Sequence, residues 1–146
     1  MVEFHVRQQA GYRLLARSCV VEETEMLVLR ELLSADQDRW LLASSEPGVS
    51  AVGATLVGED GPIYVAGVPA EAASVEGYGE IDVPASRYAF VTYSGDVEFI
   101  AQVLALLGEA VSEAGDTLTG ESIEVYRGFD EENRPVMQLG LRLAES

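Results

Sequence analysis

Lysine is absent from this chain of 146 residues, and cysteine, histidine and tryptophan each occur once. The single Cys19 permits no internal disulfide, in keeping with a reducing compartment. A solitary His5, with no second histidine and no paired cysteine, excludes the usual zinc spacings, so no metal is expected. No apolar run approaches the roughly 18 residues of a membrane span. The opening Met1-Val2-Glu3-Phe4-His5 has neither the basic region nor the apolar core of a signal peptide. The expectation is a cytoplasmic protein without a membrane partner. Positive charge is scarce as well: nine arginines stand against 25 acidic residues, a formal charge of −16. Such a surface repels phosphate backbones, and no nucleic-acid module contributes a basic stripe, so direct nucleic-acid binding is not expected. The same field attracts cations and steers them inward, beside its plainer effect of keeping the chain in solution.

Catalytic signatures are missing too. There is no Gly-x-Ser-x-Gly, and Cys19 sits in an apolar stretch with no histidine near it in sequence. Gly77-Tyr78-Gly79 is too short for a phosphate-binding loop. These absences remove most enzyme classes, and no cofactor is expected.

What is present is a globular composition, 48% hydrophobic and 23% charged, of a length suited to one domain. Residues 88–93 alternate and are rich in aromatic and β-branched types, which predicts a strand. Gly95 breaks it and Asp96 is placed to cap a helix, in which Val97, Ile100, Leu104, Leu107 and Val111 recur at three- and four-residue spacing. Gly115 is the expected stop. Residues 122–127 and 136–143 read as two strands around a polar turn. The first half repeats this order: a strand over 12–21, a helix from 23 to about 42, and strands over 52–57 and 63–68 around Gly58-Glu59-Asp60-Gly61-Pro62. The acidic cluster Glu22, Glu23 and Glu25 suits the positive end of the first helix. Neither half can bury its sheet alone. The expected fold is α+β, one domain over 1–146. It is built from two pseudo-symmetric strand-helix-strand-strand repeats (about 1–70 and 80–146) that form a mixed or antiparallel sheet, with helices on one face and a central ligand cleft.

The succession Gly58-Glu59-Asp60, Tyr64-Val65-Ala66-Gly67-Val68, Ile81-Asp82-Val83-Pro84-Ala85-Ser86-Arg87-Tyr88-Ala89, Gly95 and Glu124-Val125-Tyr126 runs through most of the chain. In order and spacing it resembles the GyrI-like small-molecule-binding domain, which is also the effector-binding domain of AraC- and MerR-type multidrug regulators. No helix-turn-helix region accompanies it, so the resemblance is to a stand-alone form. It implies an aromatic cleft with a buried acid, here Glu124, that takes up bulky lipophilic and often cationic compounds for sequestration or sensing. Some relatives are hydrolases of cyclopropane-bearing natural products, and others inhibit gyrase; both readings stay open as alternatives, so catalysis is undecided and Glu124 would be the general acid/base of an enzyme.

From the residues themselves, Glu124 and Tyr126 share one face of a strand, opposite Ile123 and Val125. If Ile123 and Val125 pack under the helices, Glu124 and Tyr126 line the groove. A carboxylate there with no cation nearby in sequence invites a cationic ligand, to which ring faces add about 0.5–2 kcal/mol each. The plainer alternative is a carboxylate satisfied by water or by an arginine such as Arg142. Trp40, Tyr93, Phe99 and Tyr64 complete the candidate ligand-binding set, with core packing the alternative for each.

Overall fold

The computed structural model describes residues 3–35, 48–59, 61–69 and 79–144. Among the described residues, eight strands and two helices follow in chain order: β1 (His5–Gln9), β2 (Tyr12–Val20), α1 (Glu23–Ala35), β3 (Ala51–Gly58), β4 (Gly61–Pro69), β5 (Gly79–Val83), β6 (Ser86–Ser94), α2 (Ile100–Glu113), β7 (Leu118–Phe129) and β8 (Pro135–Leu143). A short 3-10 turn, Val97–Phe99, leads into α2. Asp96 precedes that turn but its side chain makes no capping bond, and Gly115 lies just past α2 at φ +93°. Glu22 caps α1 instead, its carboxylate accepting from the backbone N–H groups of Thr24 and Glu25 at 3.1 and 2.9 Å.

All eight strands form one antiparallel sheet in the order β1-β6-β8-β7-β3-β4-β2-β5. Its two faces carry separate apolar clusters. Tyr64, Ala66, Ala89, Val91, Tyr126, Met137 and Leu139 pack with Met26, Leu29 and Leu33 of α1 and with Ile100, Leu107 and Val111 of α2. Tyr12, Leu14, Val52, Val65, Tyr88, Phe90, Ile123 and Val125 form the other cluster, to which neither helix contributes.

Connection lengths explain how that second face is buried without helices. β1 and β2 lie six strand positions apart, about 29 Å in a flat sheet. Only Ala10 and Gly11 join them, and three Cα steps reach no more than about 11 Å. The sheet is therefore curled until its two ends meet. At the meeting point a side chain on Gly11 would lie 2.7 Å from the Val83 carbonyl oxygen and 2.9 Å from the Ala85 nitrogen, so only glycine fits. Gln9 Nε2 donates to Tyr12 Oη across the same junction at 3.1 Å. Ile123 and Val125 thus fill the inside of the curl, and Glu124 and Tyr126 face the helices. This reverses the orientation expected from sequence: Ile123, Glu124, Val125 and Tyr126 are all buried, so alternation in β7 marks two faces without saying which one the helices cover. Among the described residues no helix is long and apolar enough to cross a membrane.

Candidate functional site

Glu124 lies on β7, paired with Gly53 of β3 on one side and Leu139 of β8 on the other, near the middle of the sheet. Its side chain has 0% exposure. A buried carboxylate must be bonded, and three side chains do this, Tyr126 from two residues along the same strand and Tyr64 and Arg30 from distant parts of the chain. Tyr64 Oη donates to Glu124 Oε1 at 2.9 Å and Tyr126 Oη to the same oxygen at 3.0 Å. From α1, Arg30 donates through Nε at 3.2 Å to Oε1 and 3.1 Å to Oε2, and through Nη2 to Oε2 at 2.9 Å. The Arg30 side chain is itself only 1% exposed, with its Cζ 5.2 Å from the centre of the Tyr64 ring.

The helix brings Arg30 there because it sits four residues after Met26 and three before Leu33, on the stripe that faces the sheet. Its Nη1 has no hydrogen-bond partner, and the Glu23 carboxylate, one side of α1 further up, stands 3.7 Å away. Burial by itself pushes the guanidinium pKa down; the charge and hydrogen bonds of Glu124 outweigh it and hold Arg30 above its ordinary value. The phenols of Tyr64 and Tyr126 are pushed well up, first by burial and then by the Glu124 charge, so both stay protonated and donate.

Room for the cluster comes from Gly53. A Cβ at that position would overlap Tyr64 Oη and stand 3.1 Å from Glu124 Oε1. Two features of the sequence point to this cluster: a charged residue on an apolar helical stripe, and an isolated glycine inside a strand. Arg142, the arginine thought able to satisfy Glu124, is engaged elsewhere, with Glu121 and the Ser86 hydroxyl.

No protein-family profile matches the sequence, and no curated protein matches it. In three dimensions the likeness covers nearly the whole chain. The structure of SAV2435 bound to tetraphenylphosphonium superposes with a TM-score of 0.71 at 14% identity, covering 98% of this chain and 94% of that one. A Staphylococcus aureus MU50 protein named for bacterial transcription regulation also gives 0.71, at 14% identity and 99% and 100% coverage. The EcmrR C-terminal domain gives 0.64, at 11% identity and 99% and 98% coverage. The chain shares the fold of these three structures.

Within this sheet the six candidate residues separate. Glu124, Tyr126 and Tyr64 come together in direct hydrogen bonds. Tyr93 does not join them: it stands two strands from Tyr126 in the same cross-strand row, Tyr93–Met137–Tyr126, and its Oη donates to the Asp96 carbonyl at 2.9 Å. Phe99 is 43% exposed in the turn before α2, because the helical stripe continues through Val97 and Ile100 and leaves it outward. Trp40 lies outside the described residues. Beside α1 a cavity of about 500 Å³ opens between Glu31 and Ser34, the Asp96–Glu98 turn and the β7–β8 hairpin at Phe129. Glu124 does not line it; α1 serves both places, with Arg30 on the carboxylate and Glu31 on the cavity. Among the described residues no three His, Cys, Asp or Glu side chains gather as metal ligands.

Chemically the cluster is a closed ion pair. Its carboxylate offers no exposed lone pair, and every oxygen already accepts. What it does in this structure is hold a cation, the Arg30 guanidinium.

Proposed function

We propose that this chain binds bulky lipophilic cations, with Glu124 as the anchoring charge, Tyr64 and Tyr126 as its hydrogen-bonded aromatic wall, and Arg30 as the internal cation that a ligand displaces. The observation that carries this reading is the fully buried Glu124 carboxylate whose counter-ion comes from a helix and not from the sheet. A sheet-borne partner would be as rigid as the acid; α1 is a separate element held to the sheet by its apolar stripe, Met26, Leu29 and Leu33. In support, the similar structure of SAV2435 is bound to tetraphenylphosphonium. That cation has no hydrogen-bond donor, so charge and ring faces are all a site needs to supply. The acidic cavity next to α1, with Glu31, Asp96 and Glu98, suits the approach of such a cation. Trp40, Tyr93 and Phe99 are proposed as outer walls of the path.

The reading retains the cytoplasmic setting expected from sequence and one domain over 1–146. It also treats the halves, about 1–70 and 80–146, as repeats; in support, β6-β8-β7 from one end of the sheet matches β2-β4-β3 from the other.

The test is a titration with tetraphenylphosphonium, followed by thermal shift and calorimetry, on wild type, Glu124→Gln and Arg30→Gln. Ligand at about 100 times its dissociation constant stabilises a fold by about 2.7 kcal/mol. Arg30→Gln, which keeps a donor and loses the competing charge, is expected to bind more tightly than wild type, and Glu124→Gln to lose binding while retaining native circular dichroism. Equal affinity in all three proteins, or no binding by wild type and Arg30→Gln alike, removes the proposal.

A further inference from the structure

Five described arginines have a carboxylate within 4.0 Å: Arg13 with Glu80, Arg30 with Glu124, Arg87 with Asp116, Arg134 with Asp130 and Arg142 with Glu121. In a chain with 25 acidic residues and nine basic ones this is the expected condition. Arg7 and Arg127 depart from it. Both donate to one neutral oxygen, Gln138 Oε1, Arg7 through Nη2 at 2.8 Å and Arg127 through Nε at 3.2 Å. Their other acceptors are neutral too: Gln9 Oε1 at 3.4 Å for Arg7 and the Gly48 carbonyl at 3.4 Å for Arg127. Arg7 Nε is buried with no partner.

The place is the rim of the helix-free, inner face of the curled sheet. Arg7 lies across the Phe90 ring with its Cζ 4.3 Å from the ring centre, and His5 stacks on the same ring at 6.0 Å. Those contacts hold the guanidinium before any ligand arrives. Arg127 is exposed, and Gln138 and Arg7 are half-buried, so the site opens to solvent. Two like charges that share one uncharged acceptor repel each other, and a carboxylate or phosphate oxygen in that position would turn both contacts into charge-assisted bonds.

We infer that Arg7 and Arg127, bridged by the Gln138 amide, form a binding site for a small oxyanion, a carboxylate or a phosphate group. This site lies on the opposite face of the sheet from Glu124 and is independent of the cation reading. It gives a strongly acidic protein one local place where an anion is favoured.

The side-chain Nε–H resonances of the two arginines report on the site directly. Inorganic phosphate and, in a second arm, acetate are titrated at constant ionic strength while these signals are followed by NMR. Saturable shifts with either anion are expected, and the arm that saturates names the chemistry, tetrahedral or planar. Arg7→Gln and Arg127→Gln should each weaken the saturating anion at least tenfold. Shifts that stay linear with both anions, or an affinity unchanged in both variants, overturn the inference. Gln138→Glu provides a second check, since it puts the missing carboxylate between the arginines without removing a bonded donor. A raised Tm together with loss of the anion response is expected; a Tm at or below that of wild type overturns it.

Discussion

Arg30 and Glu124 meet across 94 residues of sequence, and on the proposed reading the pair is not there for stability alone. Desolvating two charges costs several kcal/mol each, and apolar replacements of buried pairs are often neutral or stabilising by about 1–4 kcal/mol. A pair kept under these terms is more economically explained by what its carboxylate binds. Glu124 was legible as a site because it is a charged residue inside an apolar strand. Arg30 is marked in sequence only as a charge on the apolar stripe of α1; that this arginine among nine meets Glu124 is decided by tertiary packing. The tyrosines supply a measurable consequence. Tyr64 and Tyr126 have folded-state pKa values well above the ordinary 10, through burial first and the Glu124 charge second. In the unfolded chain both ionise near about 10. Their protonated state therefore contributes in full below that pH, and stability falls as pH rises above it. Tyrosinate absorbance followed against circular dichroism should show two of the six tyrosines ionising only as the fold is lost. Their ionisation in a still folded protein would contradict the hydrogen bonds described for Glu124.

At the scale of elements, the second half of the chain was readable and the first less so. α2 and the turn before it announce themselves through Val97, Ile100, Leu107 and Val111, and β6 through its aromatic alternation. β1 left no such signal: as an edge strand it is mostly exposed, and His-Val-Arg-Gln-Gln has no apolar period to read. The face of β7 is ambiguous in sequence for the opposite reason, since a central strand buried on both sides looks apolar in both registers. Gly53 is where element geometry and site geometry meet. β3 must approach β7 and β4 without a side chain so that Tyr64 Oη and Glu124 can bond above it. Gly53→Ala forces the tyrosine or the carboxylate to move, and overpacking of this kind costs about 1–3 kcal/mol. Chemical denaturation should show that loss with an unchanged m value. Weaker tetraphenylphosphonium binding is expected to accompany it, because the same methyl group displaces the anchoring acid. A variant as stable as wild type would mean that the cluster has slack which the geometry does not show.

For the whole molecule, composition announced the charge and the curled sheet decides where it acts. The inner face is closed by the meeting of the two sheet ends at Gly11, leaving the helix side as the approach to Glu124. That side carries Glu31, Asp96 and Glu98 around the open cavity, within an overall charge of −16. On the proposed reading, surface carboxylates and the buried one act on different steps of binding. Exposed charges act at a distance through the solvent, and raising ionic strength from about 10 mM to about 150 mM shortens the Debye length from about 30 to about 8 Å. Glu124, fully buried, is screened far less. Stopped-flow measurements with tetraphenylphosphonium should therefore show an association rate that falls steeply with salt and a dissociation rate that barely changes. Glu31→Gln combined with Glu98→Gln should lower the association rate at low salt and leave dissociation as it was. Salt that speeds dissociation and spares association would place the decisive charge at the surface, and the cation would then be held at the cavity mouth and not at Glu124.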